Sequence, residues 1–159
     1  MSSFVRHATA VDIKEMAAIH RAAFPRQRES ETWVRATLSA APRILSFVLV
    51  LDDTVVGYIF WSQKSGIRPS AVLELDQIAV MPQFQHQGHG EGLIRESLSL
   101  VVAELRDKGQ SLKSVLISTR ADNDAQRLYA KLLGARVVAN IDGLYSATEV
   151  MMLADGFDA

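Results

Sequence analysis

The chain has 159 residues, with 17 Lys and Arg against 18 Asp and Glu for a net charge of −1, and no cysteine. That length suits one ordinary domain, residues 1–159, and a near-neutral chain has no overall field to concentrate nucleic acid or an anionic membrane. The lack of cysteine excludes a disulfide scaffold, a thiolate metal site and a thiol nucleophile, while 48% hydrophobic and 22% charged residues is the balance of a folded globular protein.

Residues 4–8 alternate as a short strand. Asp12 with Glu15 three positions on has the form of a capping box, followed at helical spacing by Ile13, Met16, Ala17, His20 and Phe24. Pro25 ends that helix, residues 25–30 make a polar loop, and a second, shorter helix runs from Ser30 to Ala41 before Pro42. Two β-branched and aromatic runs, 45–51 and 54–61, meet at Asp52-Asp53 and predict a hairpin. Residues 62–70, with Gly66 and Pro69, form a loop, and 71–80 the next strand. The longest helical pattern covers 88–108, with Ile94, Leu98, Val101 and Leu105 as its apolar stripe and Gly109 just past its end. Residues 114–118 form a short strand, Asp122 or Asn123 caps a helix through Leu133 that Gly134 ends, and 135–141 and 149–153 are the last strands. The order β-α-α-β-β-β-α-β-α-β-β, with a hairpin at each end of the sheet, predicts an α/β or α+β fold on a mixed sheet. No apolar run nears the roughly 18 residues of a membrane span, and residues 1–7 lack the apolar stretch of a secretory signal. The expectation is a cytoplasmic protein without membrane or nucleic-acid partners.

The chemistry concentrates in residues 75–94, which read as strand, turn, glycine loop and helix. Gly88 and Gly90 remove Cβ atoms where successive N–H groups converge at a helix start, and the helix dipole favours an anion there. A nucleotide P-loop needs Gly-Lys-Ser/Thr, but this loop ends Gly90-Glu91-Gly92-Leu93. A dinucleotide fingerprint needs its third glycine one position later than Gly92. The spacing Gln85-x-x-Gly88-x-Gly90 matches the acyl-coenzyme A signature.

On these residues the chain resembles the GNAT superfamily of N-acetyltransferases. The resemblance extends in order through Val5-Arg6-His7-Ala8-Thr9 with Asp12, Val55-Val56-Gly57-Tyr58-Ile59, Ile78-Ala79-Val80-x-Pro82, and Leu128-Tyr129 ahead of Gly134. It implies a mixed, mostly antiparallel sheet of about six or seven strands flanked by about four helices. It also implies that the diphosphate of acetyl-CoA sits on Gln85, His86, Gln87, Gly88, His89, Gly90 and Glu91. The pantetheine arm would then pair beside the backbone of Ile78, Ala79 and Val80, with Asn123 a further cofactor contact. A homodimer is compatible with the resemblance.

An alkyl ammonium with a pKa of about 10.4 cannot attack a thioester, and neutralising it at pH 7 costs about 4–5 kcal/mol. A general base is therefore expected, and the departing thiolate benefits from a proton donor. Glu74, eleven residues before Gln85, stands where histone-acetylating relatives place a catalytic glutamate, and it shares strand parity with Asp76. Tyr129 occupies the position of the family's acid tyrosine. Two departures accompany it: Asp122 replaces the usual Asn, and five residues rather than four carry the chain from Tyr129 to Gly134, which predicts an offset or bulged helix. The resemblance puts the acceptor amine among Phe24, Arg26, Arg28, Trp33, Asp76 and Tyr145, with the two arginines suited to a carboxylate of an amino acid or peptide. His86, His89 and Glu91 on a glycine loop make a poor metal site, so no metal is expected; His7 and His20 show no partner in the sequence. The reading is transfer of an acetyl group to a small-molecule amine or peptide in a ternary complex. A protein N-terminal or lysine acetyltransferase, and a non-catalytic acyl-CoA sensor, are the alternatives.

Overall fold

The computed structural model describes residues 2–157; position 1 and the last two positions of the expected domain lie outside the described residues. In chain order the elements are β1 (Ser3–His7), α1 (Ile13–Ala23), α2 (Ser30–Leu38), β2 (Ile44–Leu51), β3 (Thr54–Gln63), β4 (Ser70–Val80), α3 (His89–Asp107), β5 (Ser111–Arg120), α4 (Ala125–Leu133), β6 (Arg136–Ile141) and β7 (Glu149–Asp155). The strands form one mixed sheet in the order β1-β2-β3-β4-β5-β7-β6. The expected element order holds, but the β2–β3 hairpin does not end the sheet. β1 pairs antiparallel outside β2, from Ser3↔Leu51 to His7↔Phe47. β2 is buried along most of its length, and a strand so buried cannot leave a row of N–H and C=O groups unpaired.

The chain divides into two compact units, the first holding residues up to Trp61 together with Gln77–Val101. Its core packs Ile13, Met16 and Ile19 of α1 and Val34 of α2 with Val48, Val50, Val55, Tyr58, Phe60 and Ala79 of the strands. The hairpin turn works because Asp52 (φ +46°) and Asp53 (φ +65°) are both left-handed, the conformation that a two-residue connection needs to match strand twist. On α3, Ile94 and Val101 are buried as expected, and so is Ser97, whose hydroxyl accepts the Trp61 indole N–H at 2.8 Å. Gly57 is a packing glycine: a Cβ there would stand 3.0 Å from both the Ala79 carbonyl oxygen and Leu93 Cδ1.

The start of α1 corrects the sequence reading. A turn of 3-10 helix, Ala10–Asp12, precedes it, and the capping box is formed by Thr9 with Asp12 rather than Asp12 with Glu15. The Thr9 N–H donates to the Asp12 carboxylate at 2.8 Å, and the Arg6 guanidinium donates to both Asp12 oxygens at 2.8 and 3.0 Å. Asp12 is claimed by a strand residue six positions back, which outcompetes a helix-internal role because the charged fork makes the stronger bond.

The second unit holds Ser62–Asp76 and the chain from Val102 onward. β5 runs antiparallel to β7 from Ser114↔Asp155 to Arg120↔Glu149 and parallel to β4 from Ser70↔Ser111 to Glu74↔Leu116. Those partners explain why β5 is longer than the predicted 114–118: residues with weak apolar patterning are recruited by strands on either side. β7 also pairs with β6, which is exposed along most of its length as the outer strand. The buried Gln110 donates to the Arg68 carbonyl at 2.7 Å and to Gln63 Oε1 at 3.2 Å, tying down the loop between β3 and β4. Among the described residues no helix is long and apolar enough to cross a membrane.

Hydrogen bonds from Arg6 outweigh the burial of Asp12 and hold its carboxyl below the usual carboxylate range. A depressed folded pKa contributes stability that is present above the unfolded value near 3.9 and is lost as pH falls through the lower folded value. Asp12→Ala should therefore cost about 2–3 kcal/mol at pH 7, and the gap between the two proteins should close in melts taken downward from about pH 4.

Candidate active site

β4 leads into the glycine loop with one irregularity. The Lys64 N–H bonds the Val72 carbonyl and the Met81 N–H bonds the Val56 carbonyl, both at 2.8 Å, and between these bonds β4 uses one residue more than β3. An extra residue of this kind re-aims the strand beyond it. Because Met81 points its amide toward β3, the alternation of an antiparallel strand turns the backbone groups of Ile78 and Val80 away from β3. Ala79 faces β3 instead.

A short 3-10 turn, Pro82–Phe84, then carries the chain into the loop. Gln85 reaches back to donate its side-chain amide to the Val80 carbonyl at 3.0 Å, and Gln87 does the same to the Gln83 carbonyl at 3.2 Å. His86 (φ +61°) and Gly88 (φ +83°) are left-handed. A Cβ on Gly88 would meet nothing within 4 Å, so the glycine serves conformation rather than space. The Gly92 N–H bonds the Gly88 carbonyl at 3.1 Å as the first turn of α3 closes. The amides of His89 and Gly90 thus precede the first internal helix bond, at the helix start where N–H groups lack an intrahelical acceptor. The Glu91 carboxylate, which would repel an anion, is paired with Arg95 one turn along. His89 Nε2 is a buried polar atom without a hydrogen-bond partner among the described residues. This donor set suits a phosphate or diphosphate.

The α1–α2 loop meets β4 at Gln77, a residue the sequence reading passed over. The Trp33 indole N–H and the Tyr58 hydroxyl both donate to Gln77 Oε1, at 3.1 and 2.8 Å. An indole can only donate, so Gln77 must turn its oxygen to Trp33 and its amide nitrogen to Gln27 Oε1, a longer contact at 3.5 Å. Gln27 Oε1 then needs an N–H from His20 Nε2 at 2.7 Å, which leaves His20 Nδ1 to accept from the Ser30 hydroxyl at 2.8 Å. His20, which shows no partner in the sequence, is buried with both ring nitrogens bonded. Phe24 lies against its ring, with centroids 5.5 Å apart. His7 instead faces Phe47, at 4.5 Å. Burial pushes the Tyr58 hydroxyl far up, so it is a donor at any ordinary pH. The sequence carried no local signal for this role, since Gln77 stands beside Asp76 in a strand that also holds Glu74.

In the second unit Glu74 is bound to Lys64 at 3.0 Å. Asp76, two residues on and of the same parity, keeps an exposed surface, yet the protein packed around it and then the Glu74 charge raise its carboxyl pKa, partly offset by Lys64. Tyr129 is 5% exposed, and burial pushes its hydroxyl up to about 12. That hydroxyl has no hydrogen-bond partner among the described residues. α4 carries no bulge between Ala125 and Leu133, and it ends at left-handed Gly134 (φ +70°), which bonds the Ala130 carbonyl, with Ala135 bonding the Tyr129 carbonyl. Asn123, expected at the cofactor, is engaged at both ends of its amide: Oδ1 accepts from Ala125 N–H at 2.9 Å and Nδ2 donates to Thr119 Oγ1 at 3.0 Å. Tyr145 is 71% exposed. Among the described residues no three His, Asp or Glu side chains form a group that could hold a metal ion.

A family model described as the acetyltransferase (GNAT) family matches residues 13–135. Comparison with curated proteins gives no match. Among solved structures, the ribosomal-protein-S18-alanine N-acetyltransferase from Escherichia coli superposes with a TM-score of 0.75 at 19% identity, covering 97% of this chain and 94% of its own. Ard1 from Thermoplasma volcanium gives 0.75 at 22% identity, covering 98% of each chain. Arabidopsis thaliana NAA60 in complex with acetyl-CoA gives 0.75 at 18% identity over 97% of this chain and 98% of that one. These likenesses establish the shared fold, and the family model spans well over half of the sequence: the chain belongs to the GNAT family of acetyltransferases.

Proposed function

We propose that residues 1–159 act as one acetyl-CoA-dependent N-acetyltransferase domain that transfers an acetyl group to a primary amine by direct attack in a ternary complex. The observation that carries this reading is the run from Ile78 to Gly90: outward-facing strand backbone, a left-handed glycine, and helix-start amides that precede the first internal bond of α3, in that order. The amides of His89 and Gly90 hold the diphosphate, and Ile78 and Val80 pair with the pantetheine amides. That NAA60 was solved with acetyl-CoA supports the choice of co-substrate.

The acceptor nitrogen attacks the thioester carbonyl carbon, the carbon–sulfur bond breaks, and two proton movements accompany this exchange. Lys64 pairs with Glu74, burial and then the Glu74 charge raise the Asp76 carboxyl, and Asp76 takes the proton leaving the amine. Tyr129, still a phenol at neutral pH, protonates the departing thiolate. No cysteine is present to form an acyl-enzyme through a thiol. The Escherichia coli relative, named for an alanine of a ribosomal protein, supports a protein N-terminus as one form of the acceptor.

CoA and acetyl-CoA, but not ATP or NAD, should raise Tm by several degrees, because a ligand at about 100 times Kd adds about 2.7 kcal/mol. Tyr129→Phe should keep that shift and lower kcat about a hundredfold or more. In an ultraviolet titration the phenolate absorbance missing from this variant should develop near pH 12, well above the ordinary value near 10. Asp76→Asn should remove the acid limb of the kcat/KM profile, whereas Glu74→Gln should move that limb to lower pH, since the charge raising Asp76 is gone. An unshifted limb in both variants would assign the base elsewhere.

A further inference from the structure

The proposed cofactor position fixes where its reactive end must lie. With the diphosphate on the helix-start amides and the arm running back along Val80 and Ile78, the acyl group arrives at Gln77, about 10 Å along the strand from Val80. Gln77 is where the α1–α2 loop is fastened, through Trp33 and Gln27. The loop is held from several directions. The Gln27 N–H bonds the Phe24 carbonyl at 2.9 Å, its side chain is gripped by His20, and the Trp33 N–H returns to the carbonyl of left-handed Glu29 at 2.9 Å.

Arg26 and Arg28 flank the anchored Gln27. Both are exposed, and neither has a carboxylate partner among the described residues, whereas Arg35 on the following helix is neutralised by Glu31. Glu29 is the only acid between Phe24 and Ser30, so the loop keeps an excess of positive charge. Resting on the acetyltransferase reading, we infer that Arg26 and Arg28 select an acceptor carrying a carboxylate close to its amine. A guanidinium binds carboxylate in fixed, forked geometry, and anchoring Gln27 spares the ordering cost of the loop that presents it. The shared chemistry has two sources, an acidic amino-terminal peptide and a free dicarboxylic amino acid.

The experiment follows thiol release from acetyl-CoA with the full chain. Its acceptors are hexapeptides with a common first residue followed by either aspartates or lysines, and free aspartate and glutamate. The acidic acceptor should exceed its lysine counterpart about tenfold in kcat/KM, mainly through KM, and the advantage should shrink as salt rises from about 50 to about 500 mM. The Arg26→Ala, Arg28→Ala double variant should bring the two within about twofold while keeping the CoA-induced rise in Tm. Gln27→Leu, which retains both arginines, should blunt the preference as well. Turnover of free amino acids, peptides or both identifies the source. Equal rates in the unaltered chain, a preference that survives the double substitution, or no turnover of any acidic acceptor by a protein that still binds CoA overturns the inference. If CoA leaves Tm unmoved, the acetyltransferase reading fails first and this inference with it.

Discussion

Backbone hydrogen-bonding groups must find partners, and between Ile78 and Gly90 this chain leaves several unsatisfied by its own secondary structure. One extra residue in β4 turns Ile78 and Val80 away from β3, and the start of α3 places the His89 and Gly90 amides ahead of its first internal bond. Each unpaired group is a cost in isolation and a binding contact when a ligand supplies the missing atom. The glycine at 88 permits this arrangement, since a left-handed φ of +83° is open to it at little steric cost. The side chains nearby are bonded in turn: Gln85 donates to the Val80 carbonyl, and Glu91 is drawn into a pair with Arg95.

Charge is distributed with the same economy. A net charge of −1 gives no global field, so electrostatic work is local. Arg6 and Asp12 use theirs to fasten β1 to the start of α1, the carboxylate buried and fully bonded. Lys64, Glu74 and Asp76 form a graded trio in which one carboxylate is neutralised by an ion pair and the other is raised by burial and by its neighbour. The proton affinity of Asp76 is thereby raised. Tyr129 is tuned by desolvation alone.

The polar chain from Ser30 through His20, Gln27 and Gln77 to Trp33 and Tyr58 has a direction, because its end member can only donate. That directionality fixes both amide orientations and makes His20 Nε2 a donor to Gln27. Such a chain holds a loop in one arrangement where apolar packing alone would tolerate several.

Much of this protein was legible in its sequence because the relevant physics is local. Helix periodicity marked α1 and α3, Asp52-Asp53 marked the hairpin turn, and Gln85, Gly88 and Gly90 marked the glycine loop ahead of α3, since backbone preferences are set within a few residues. The family resemblance rested on those same local signatures. What the sequence left open depended on partners brought from afar. Asp12 reads as a helix cap until Arg6 claims it, and the sequence could not show that Asn123 bonds Thr119 and Ala125 or that Glu74 pairs with Lys64. Gln77 was invisible because its importance lies in Trp33, 44 positions away. The position of β1 beyond β2 was likewise decided by a strand edge that needed pairing. Local conformation is written residue by residue, whereas the partner of a polar side chain is chosen only when the folded chain brings competing donors and acceptors within about 3 Å of it.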